Sequence, residues 1–306
     1  KKTLKFAFER EQFSRSISKF DMIKNKFANM VVKSWESDTI NYMTTGSIDE
    51  AIEKLDNNQD DYYQNVQKII EDHSIESSIS KIIGSEALHY AVDEGIQVMG
   101  GAGFIEDYPM AGAYRDERIN RIFEGTNEIN RMIIGGYVLK KSILEEIPIR
   151  IAISERLENW IPNIKINDRY KKDLDVVEFS RSLFLNIINH LILEYGQDLK
   201  NNQWLLEPFA NLGISFSVID TCFKRFYSLA DGEHKDETCK VFKFSLANHY
   251  KEMLKNSSLI LSYTKNDELI KKISHWKSLL DYQPDIISFK KEIIKDLYKY
   301  KKYYLD

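Results

Sequence analysis

Residues that break secondary structure are scarce in this sequence, which has 5 prolines and 13 glycines among 306 residues. A β-sandwich or β-barrel needs many more turn residues between its short strands, so these folds are excluded. Apolar residues instead recur at every third or fourth position, as on one face of a helix. This spacing is clear over residues 17–42, over residues 75–99 and from Ile129 to just before Pro148. The sequence therefore predicts an all-α protein.

Local signals predict where individual helices of the first half begin and end. Ser47 and Glu50 have the spacing of a capping box, which predicts a helix start at Ser47. The polar stretch 56–63 predicts a break or an exposed helical segment. Residues 100–113 contain four glycines and Pro109, so we expect an extended loop there.

A change in composition near Pro148 divides the chain. The first 147 residues hold most of the glycines and are net acidic, whereas the remainder is net basic. We therefore predict two domains, residues 1–147 and residues 148–306. Pro208 and Pro284 are expected in the first turns of helices. In the second domain, helices are predicted over 168–198, 207–231, 236–263, 267–279 and 284–304.

Charge and cysteine content exclude several classes of protein. The chain has 43 basic and 47 acidic side chains, and its net charge of −4 argues against a general nucleic-acid binder. No uninterrupted apolar run reaches the roughly 18 residues of a transmembrane helix, and no signal peptide is visible. Cys222 and Cys239 cannot form a disulfide framework, so we expect a cytoplasmic location. The six histidines lack the spacing of metal ligands, and no metal site is predicted.

The C-terminal segment 289–306 alternates lysines with aromatic residues. A solvated amphipathic helix explains this pattern, because the rings pack inward while the ammonium groups stay in water. A peripheral membrane surface or a partner surface is the weaker alternative.

Two features within residues 97–131 are candidates for chemistry. The glycines from Gly100 to Gly103 follow a helix and not a strand, which does not fit a dinucleotide-binding fingerprint and indicates a helix C-terminus followed by a tight loop. Glu124 lies between Phe123 and Gly125, near an expected helix start. One interpretation is that its carboxylate stabilises the helix N-terminus. The other is that it acts as a general base beside apolar neighbours.

Residues 97–131 resemble the C-terminal signature of the acyl-CoA dehydrogenase family. That signature holds a Gly-Gly-x-Gly-aromatic segment, an Arg-Asp pair and an Ile-Phe-Glu-Gly-Thr segment in a fixed order. Upstream, Arg10 and Phe13 lie in a segment similar to the family's Arg-x-x-Phe-Gly, with Ser14 in place of the glycine. The matching residues of the signature are Gln97, Gly100, Gly101, Gly103, Phe104, Tyr108, Pro109, Arg115, Asp116, Ile119, Ile122, Phe123, Glu124, Gly125, Thr126, Ile129 and Arg131.

The resemblance covers residues 1–147 and implies the family's C-terminal four-helix bundle. Residues 148–306 resemble, in position, length and helicity, the C-terminal extension of the very-long-chain branch. Family members carry further domains before this bundle, and those domains supply much of the flavin and acyl-CoA site. The resemblance therefore implies a C-terminal fragment of a longer enzyme, which we expect to be inactive by itself.

The resemblance also implies a reaction and a cofactor. In the family, acyl-CoA becomes trans-2-enoyl-CoA when a carboxylate removes the Cα proton and a hydride passes from Cβ to FAD. Glu124 matches the catalytic base, and Gly125 matches a position that lets the substrate approach closely. Of the cofactor positions, Arg10, Gln97 and Gly101 match contacts to the FAD of a neighbouring subunit. The full set of residues that match cofactor-binding positions is Arg10, Gln97, Gly100, Gly101, Thr126 and Glu128.

The partners implied are an acyl-CoA substrate, an electron-transfer flavoprotein or similar acceptor, and further copies of the chain in a dimer or a dimer of dimers. The alternative function is a non-catalytic helical module for oligomerisation or interaction. A flavin absorbance spectrum distinguishes the two functions, because only the catalytic one requires bound FAD.

Overall fold

A computed structural model describes residues 1–157, 168–229 and 235–305 of the chain. These residues form 13 α-helices and one short β-hairpin, which confirms the all-α fold class. The helices up to residue 157 are α1 (Lys2–Glu9), α2 (Asp21–Glu53), α3 (Tyr62–Asp72), α4 (Ser74–Met99), α5 (Gly101–Phe104), α6 (Pro109–Arg118), α7 (Asn127–Ile143) and α8 (Ile149–Arg156). The helices that follow are α9 (Lys171–Tyr195), α10 (Gln203–Ser228), α11 (Lys235–Thr264), α12 (Asp267–Leu280) and α13 (Ile286–Tyr300).

The hairpin lies between α1 and α2 and pairs two antiparallel strands, β1 (Glu11–Gln12) and β2 (Arg15–Ser16). Its two turn residues, Phe13 and Ser14, have φ angles of 55° and 62°. Two successive left-handed residues match the twist of a hairpin and normally favour glycine. This geometry explains why a glycine would suit the position of Ser14, and it leaves the Phe13 ring exposed at the tip.

Four long helices pack in a closed ring, in which α2 contacts α4, α4 contacts α7, α7 contacts α10, and α10 returns to α2. The approach of α7 to α10 depends on Gly135, where a Cβ atom would lie 2.7 Å from Leu206 Cδ1. Because α10 comes from the second half, one continuous apolar core includes residues on both sides of Pro148. The domain boundary at 147 stays a prediction.

Polar contacts also join the two halves. Arg131 on α7 donates from Nε to Asn211 Oδ1 on α10 at 2.7 Å. Arg225 on α10 donates from Nη1 to Thr39 Oγ1 on α2 at 2.7 Å. Hydrogen bonds between partly buried groups fix relative orientation, because an unmet buried donor costs about 1–3 kcal/mol. The second half is therefore docked on the first.

The predicted helix start at Ser47 is wrong, because α2 continues without a break to Glu53. The Ser47 hydroxyl lies 3.0 Å from His73 Nε2 instead of capping a helix. A capping box is a local pattern, whereas here a partner 26 residues away binds the hydroxyl. The break expected over 56–63 is present between α2 and α3.

The extended loop predicted over residues 100–113 is also wrong, because α5 and the first half of α6 lie within it. Pro109 is the first residue of α6, where a proline fits because that N–H has no helical partner. At Gly103 a Cβ atom would lie 2.8 Å from the carbonyl oxygen of Ile96. The glycine therefore lets α5 fold back against the end of α4.

Neither predicted first-turn proline lies in a first turn. Pro208 lies inside α10, because that helix begins earlier, at Gln203. The N–H groups of Leu205 and Leu206 both donate to the carbonyl of Asn202 and close the true first turn. Pro284 precedes α13, whose N-terminus is capped by Asp285.

In the part of the chain that the structure describes, one helical stretch, Lys171–Asn201, is long and apolar enough to span a membrane by length and composition. The sequence criterion of an uninterrupted apolar run did not detect it. However, 78% of its most apolar window is buried inside the protein, as in the core helix of a soluble fold.

Candidate functional site

The segment between α6 and α7 carries the residue with the most unusual backbone in the signature. Glu124 has a φ angle of 54°, and Gly125 follows with 77°. A non-glycine residue in this left-handed region costs about 1–2 kcal/mol, so surrounding contacts must stabilise the turn. The turn leaves the Glu124 side chain exposed.

Two side chains hold this turn through the carbonyl oxygen of Gly125. Lys81 on α4 donates to it from Nζ at 2.7 Å, and Asn130 on α7 donates from Nδ2 at 2.8 Å. Burial lowers the pKa of the Lys81 ammonium, although the nearby carboxylates of Glu128 and Glu86 act in the opposite direction. The backbone that presents Glu124 is thus fixed from two helices.

Asn127, at the first position of α7, extends the same network and is almost fully buried. Its Oδ1 accepts a hydrogen bond from Lys81 Nζ at 2.7 Å. Its Nδ2 donates to Ser85 Oγ at 3.1 Å and to Glu86 Oε1 at 3.2 Å. One face of α4 therefore carries the polar groups that anchor both the turn and the start of α7.

Replacement of Lys81 by methionine is expected to lower the free energy of unfolding by about 1 kcal/mol. The loss is moderate because Asn130 still donates to the Gly125 carbonyl. Urea unfolding of the chain measures this change in the free energy of unfolding. Lys68→Met on α3 is the matched control, since Lys68 is exposed and has no polar partner within the described residues. Equal effects of the two substitutions would show that Lys81 does not stabilise the turn.

The segment 119–126 is also held from the α6 side. Glu117 is 3% exposed, and its Oε1 lies 2.7 Å from His89 Nδ1 on α4. Arg121 Nη2 lies 3.3 Å from the same ring nitrogen. A buried carboxylate needs such partners, because burying an unpaired charge is costly. The cluster fixes the approach of the chain to Glu124.

A cavity of about 460 Å³ adjoins Glu124. Its walls come from the last third of α2, the first half of α4 and the segment before Glu124. Ile48, Leu88 and Phe123 supply apolar surface, while hydroxyl, amide and charged groups line most of the remainder. The Glu124 carboxylate thus lies at the edge of a partly apolar space, where it could receive a proton from a bound molecule.

Thr126, and not Glu124, caps α7. The Thr126 Oγ1 atom accepts a hydrogen bond from the N–H of Ile129 at 3.3 Å. Glu128 lies in the first turn of α7, and its own backbone N–H and the Thr126 hydroxyl lower the pKa of its carboxyl. The side-chain cap of α7 therefore belongs to Thr126, and the role of Glu124 as a base stays a prediction.

A second group of signature residues lies at the other end of α4. Gly100 ends α4 with a φ angle of 58°, and its N–H donates to the Ile96 carbonyl, as the sequence predicts for a helix C-terminus. Gln97, Gly100 and Gly101 are exposed, and Arg10 is exposed at the end of α1. A Cβ atom at Gly100 or Gly101 would contact nothing within 4 Å.

The two groups do not form one site within this chain. Ser85 contacts the start of α7, and Gln97 lies 12 residues further along α4. At about 1.5 Å per residue this separates the groups by roughly 18 Å along the helix axis. Gln97, Gly100 and Gly101 therefore lie on a different surface from Glu124, Thr126 and Glu128.

The described residues hold no cluster of three or more metal-ligating side chains. Cys222 is buried and Cys239 is partly buried, and both are free thiols. Burial raises the pKa of both thiols, and it raises the pKa of the Cys222 thiol well above its usual value. Neither cysteine has the environment of a nucleophile.

The sequence and fold were compared with known proteins. Residues 1–139 match the family described as "Acyl-CoA dehydrogenase, C-terminal domain". The chain is 26% identical to a "Probable acyl-CoA dehydrogenase" of Bacillus subtilis over 97% of its own length and 52% of that protein. It is 24% identical to the mitochondrial "Very long-chain specific acyl-CoA dehydrogenase" of Rattus norvegicus, over 88% of its own length and 42% of the relative.

A crystal structure of an acyl-CoA dehydrogenase complexed with FAD, from Bacillus anthracis, has the same fold with a TM-score of 0.91 and 27% identity. The alignment covers 99% of the chain and 53% of that protein. The similarity therefore includes the helices after Pro148 as well as the signature. The chain spans about half the length of these relatives.

Proposed function

Because this chain belongs to the acyl-CoA dehydrogenase family, we propose that it forms the C-terminal half of a flavin-dependent enzyme that oxidises acyl-CoA. The observation that carries the proposal is the backbone turn at Glu124. A strained, anchored turn presents a carboxylate at the edge of a partly apolar cavity, in the place where the family signature has its base. Strain of this kind is typical of functional positions.

The residues fit FAD as the cofactor. Within the described residues the Arg10 guanidinium has no ion pair or hydrogen bond, and it is exposed, permanently charged and suited to a diphosphate. Gln97 offers an exposed amide, and the open space at Gly100 and Gly101 permits close approach of a ligand to the backbone. Thr126 and Glu128 at the start of α7 offer groups for the nucleotide. Bound FAD would supply a hydride acceptor for the substrate Cβ.

In this mechanism Glu124 accepts the Cα proton of the acyl thioester. The proton is weakly acidic, so the carboxylate must be positioned within hydrogen-bond reach of it. Lys81 and Asn130 maintain that position by holding the next carbonyl group. By resemblance Gly125 lets the substrate approach the base closely, and its φ angle of 77° is one that glycine adopts without strain. The product is trans-2-enoyl-CoA.

The wider assembly belongs to the same proposal. The distance between the two groups of signature residues supports sharing of cofactor contacts between subunits, and thus a dimer or a dimer of dimers. Reoxidation of the reduced flavin requires an electron acceptor, which we propose to be an electron-transfer flavoprotein or a similar protein. A cytoplasmic location rests on the two free cysteines.

Absorbance spectroscopy tests the proposed function. The isolated 306-residue chain is expected to be colourless, because family members build much of the flavin site from the other half of the protein. A polypeptide that joins this chain to such a half is expected to bind one FAD per chain. Absence of flavin from that longer protein would favour the non-catalytic interaction module. Binding of one FAD per isolated chain would contradict the proposal that the other half of the protein supplies much of the flavin site.

A further inference from the structure

A groove outside the site described above runs between the first turns of α2 and helix α13. Three residues of α13 provide apolar surface along it, Ile287, Ile294 and Tyr298. Their spacing of seven and four residues places them on one face of the helix. The stripe is about 16 Å long at 1.5 Å per residue. We call this feature, with a volume of about 630 Å³, the α2–α13 groove.

Lysines surround the apolar stripe. Of the side chains that line the groove, Lys24, Lys290, Lys291 and Lys295 are basic, and Asp21 is the only acidic one. Asp21 is thus the single lining carboxylate for four lysines, and its Oδ1 lies 2.9 Å from Lys24 Nζ.

The remaining acidic groups near α13 are engaged elsewhere or lie outside the groove. Asp296 accepts from Lys240 at 3.0 Å on the α11 side of the helix. Asp285 caps the helix through the Ser288 N–H and hydroxyl. Glu292 is exposed and does not line the groove. The groove therefore has a local excess of positive charge although the whole chain is net acidic.

One lysine of the groove, Lys290, has no carboxylate among its contacts. Lys290 donates from Nζ to Asn25 Oδ1 at 2.6 Å and lies 5.0 Å from the centre of the Phe244 ring. Partial burial, and then repulsion from Lys251, lower the pKa of its ammonium. A carboxylate of a ligand would favour the charged form of this ammonium and so oppose both effects.

We propose that the α2–α13 groove binds an acidic amphipathic helix of a partner protein. Apolar side chains of the ligand would enter between Ile287 and Tyr298, and its carboxylates would pair with the lysines at the rim. Grooves of this kind recognise helices through apolar anchors three, four and seven residues apart. Complementary charge then gives specificity and rapid association.

The shape of the groove favours a helix over a lipid surface. Ile287 is 67% exposed, but Ile294 is only 5% exposed and Tyr298 is half-buried. A flat bilayer surface would meet Ile287 and the lysines without reaching the floor, whereas individual side chains can enter. The groove is also distinct from the Glu124 cavity, since Asn25 and Asn41 on α2 are 16 residues, or about 24 Å, apart.

A designed peptide tests the proposal. The probe is a fluorescent 15-residue peptide with leucine at every third or fourth position and glutamate elsewhere, and fluorescence anisotropy measures its binding. A scrambled peptide of the same composition, with leucines on all faces, is expected to bind at least about tenfold more weakly, because it loses the apolar anchors. Binding of the designed peptide is expected to weaken as salt rises, since salt screens exposed charges.

Paired charge reversals locate the binding site. Lys291→Glu with Lys295→Glu is expected to weaken binding of the designed peptide about tenfold or more, because both cations lie at the rim. Lys171→Glu with Lys172→Glu makes the same change in net charge on exposed residues of α9 and is the matched control. We expect the control to bind within about threefold of the unmodified chain.

Several outcomes would overturn the proposal. Equal losses in the two double variants would show that binding depends on net charge and not on the groove. If the scrambled peptide binds as tightly as the designed peptide, the apolar stripe does not contribute to recognition. Binding of phosphatidylserine vesicles in place of the peptide, lost on Lys291→Glu with Lys295→Glu, would assign the surface to lipid. A dimer that dissociates with the same variant would assign it to a second copy.

Discussion

Replacement of Glu124 by glutamine is expected to lower the rate of acyl-CoA oxidation by about 10²–10⁴-fold in the full-length enzyme that we propose. Glutamine keeps the size of the side chain and most of its hydrogen bonding, but its amide cannot accept the Cα proton. The left-handed turn does not depend on the carboxylate, because Lys81 and Asn130 bind the Gly125 carbonyl. FAD and acyl-CoA are therefore expected to remain bound.

Two carboxylates near Glu124 along the described chain, Glu128 and Asp116, are poor replacements for it. Glu128 lies one helical turn along the chain, but its own backbone N–H and Thr126 bind its carboxylate at the start of α7. Asp116 is exposed on α6, before the segment that leads to Glu124. Glu128→Gln is the matched control, and it is expected to affect FAD affinity more than the rate of proton removal.

Anaerobic bleaching of the flavin by a saturated acyl-CoA measures the reaction without the electron acceptor. Bleaching of the Glu124→Gln protein at the unmodified rate would show that another residue is the base. Loss of FAD from the same variant would show that Glu124 is structural. Both results differ from the expected one, in which flavin is retained and reduction is slow.

The long helices of this fold could be predicted from sequence because their signal is local. Buried residues recur along α4 at every third or fourth position. Ile79, Ile82 and Val92 therefore identify the buried face without knowledge of the partner helix. Gly100 ends α4 as predicted, since a left-handed helix end is also set by neighbouring residues. The prediction from Ser47 is wrong because its hydroxyl binds the distant His73, and the prediction from Pro208 is wrong because α10 begins earlier, at Gln203.

The contacts that hold the turn at Glu124 could not be predicted in the same way. Lys81 is 44 residues from Gly125, and nothing in the sequence pairs a lysine of α4 with that carbonyl. A weaker signal was present, because Lys81 and Ser85 place polar groups one turn apart beside the buried face of α4. Polar residues at that spacing on a core helix indicate a buried network, although not its partner.

A second large effect is expected at the junction between α2 and α11. Glu36 on α2 is 5% exposed, and its Oε1 accepts a hydrogen bond from Ser245 Oγ at 2.6 Å. His249 Nε2 lies 3.3 Å from the same oxygen. Burial alone would disfavour ionisation of Glu36, but the His249 charge and the hydrogen bonds from His249 and Ser245 outweigh it and lower the pKa of the carboxyl.

His249→Leu is expected to lower the free energy of unfolding by about 1–3 kcal/mol, because it removes a polar partner of the buried Glu36 carboxylate. Urea unfolding measures the loss. His275→Leu is the matched control, since His275 is exposed on α12 and surface changes usually stay within about 0.5 kcal/mol. Equal losses in the two variants would show that the Glu36 pair does not stabilise the junction.

The pH dependence separates this electrostatic cause from a simple packing defect. Because the pKa of Glu36 is lower in the folded chain than its ordinary value of 4.5, its stabilisation is present above that pH and is lost as the pH falls further. The difference between unmodified protein and His249→Leu should therefore shrink in acid, where the carboxyl becomes neutral. The double variant Glu36→Leu with His249→Leu should recover much of the stability at pH 7, since replacing both members of a buried pair by apolar residues is often neutral. A packing defect would instead persist in acid and worsen in the double variant.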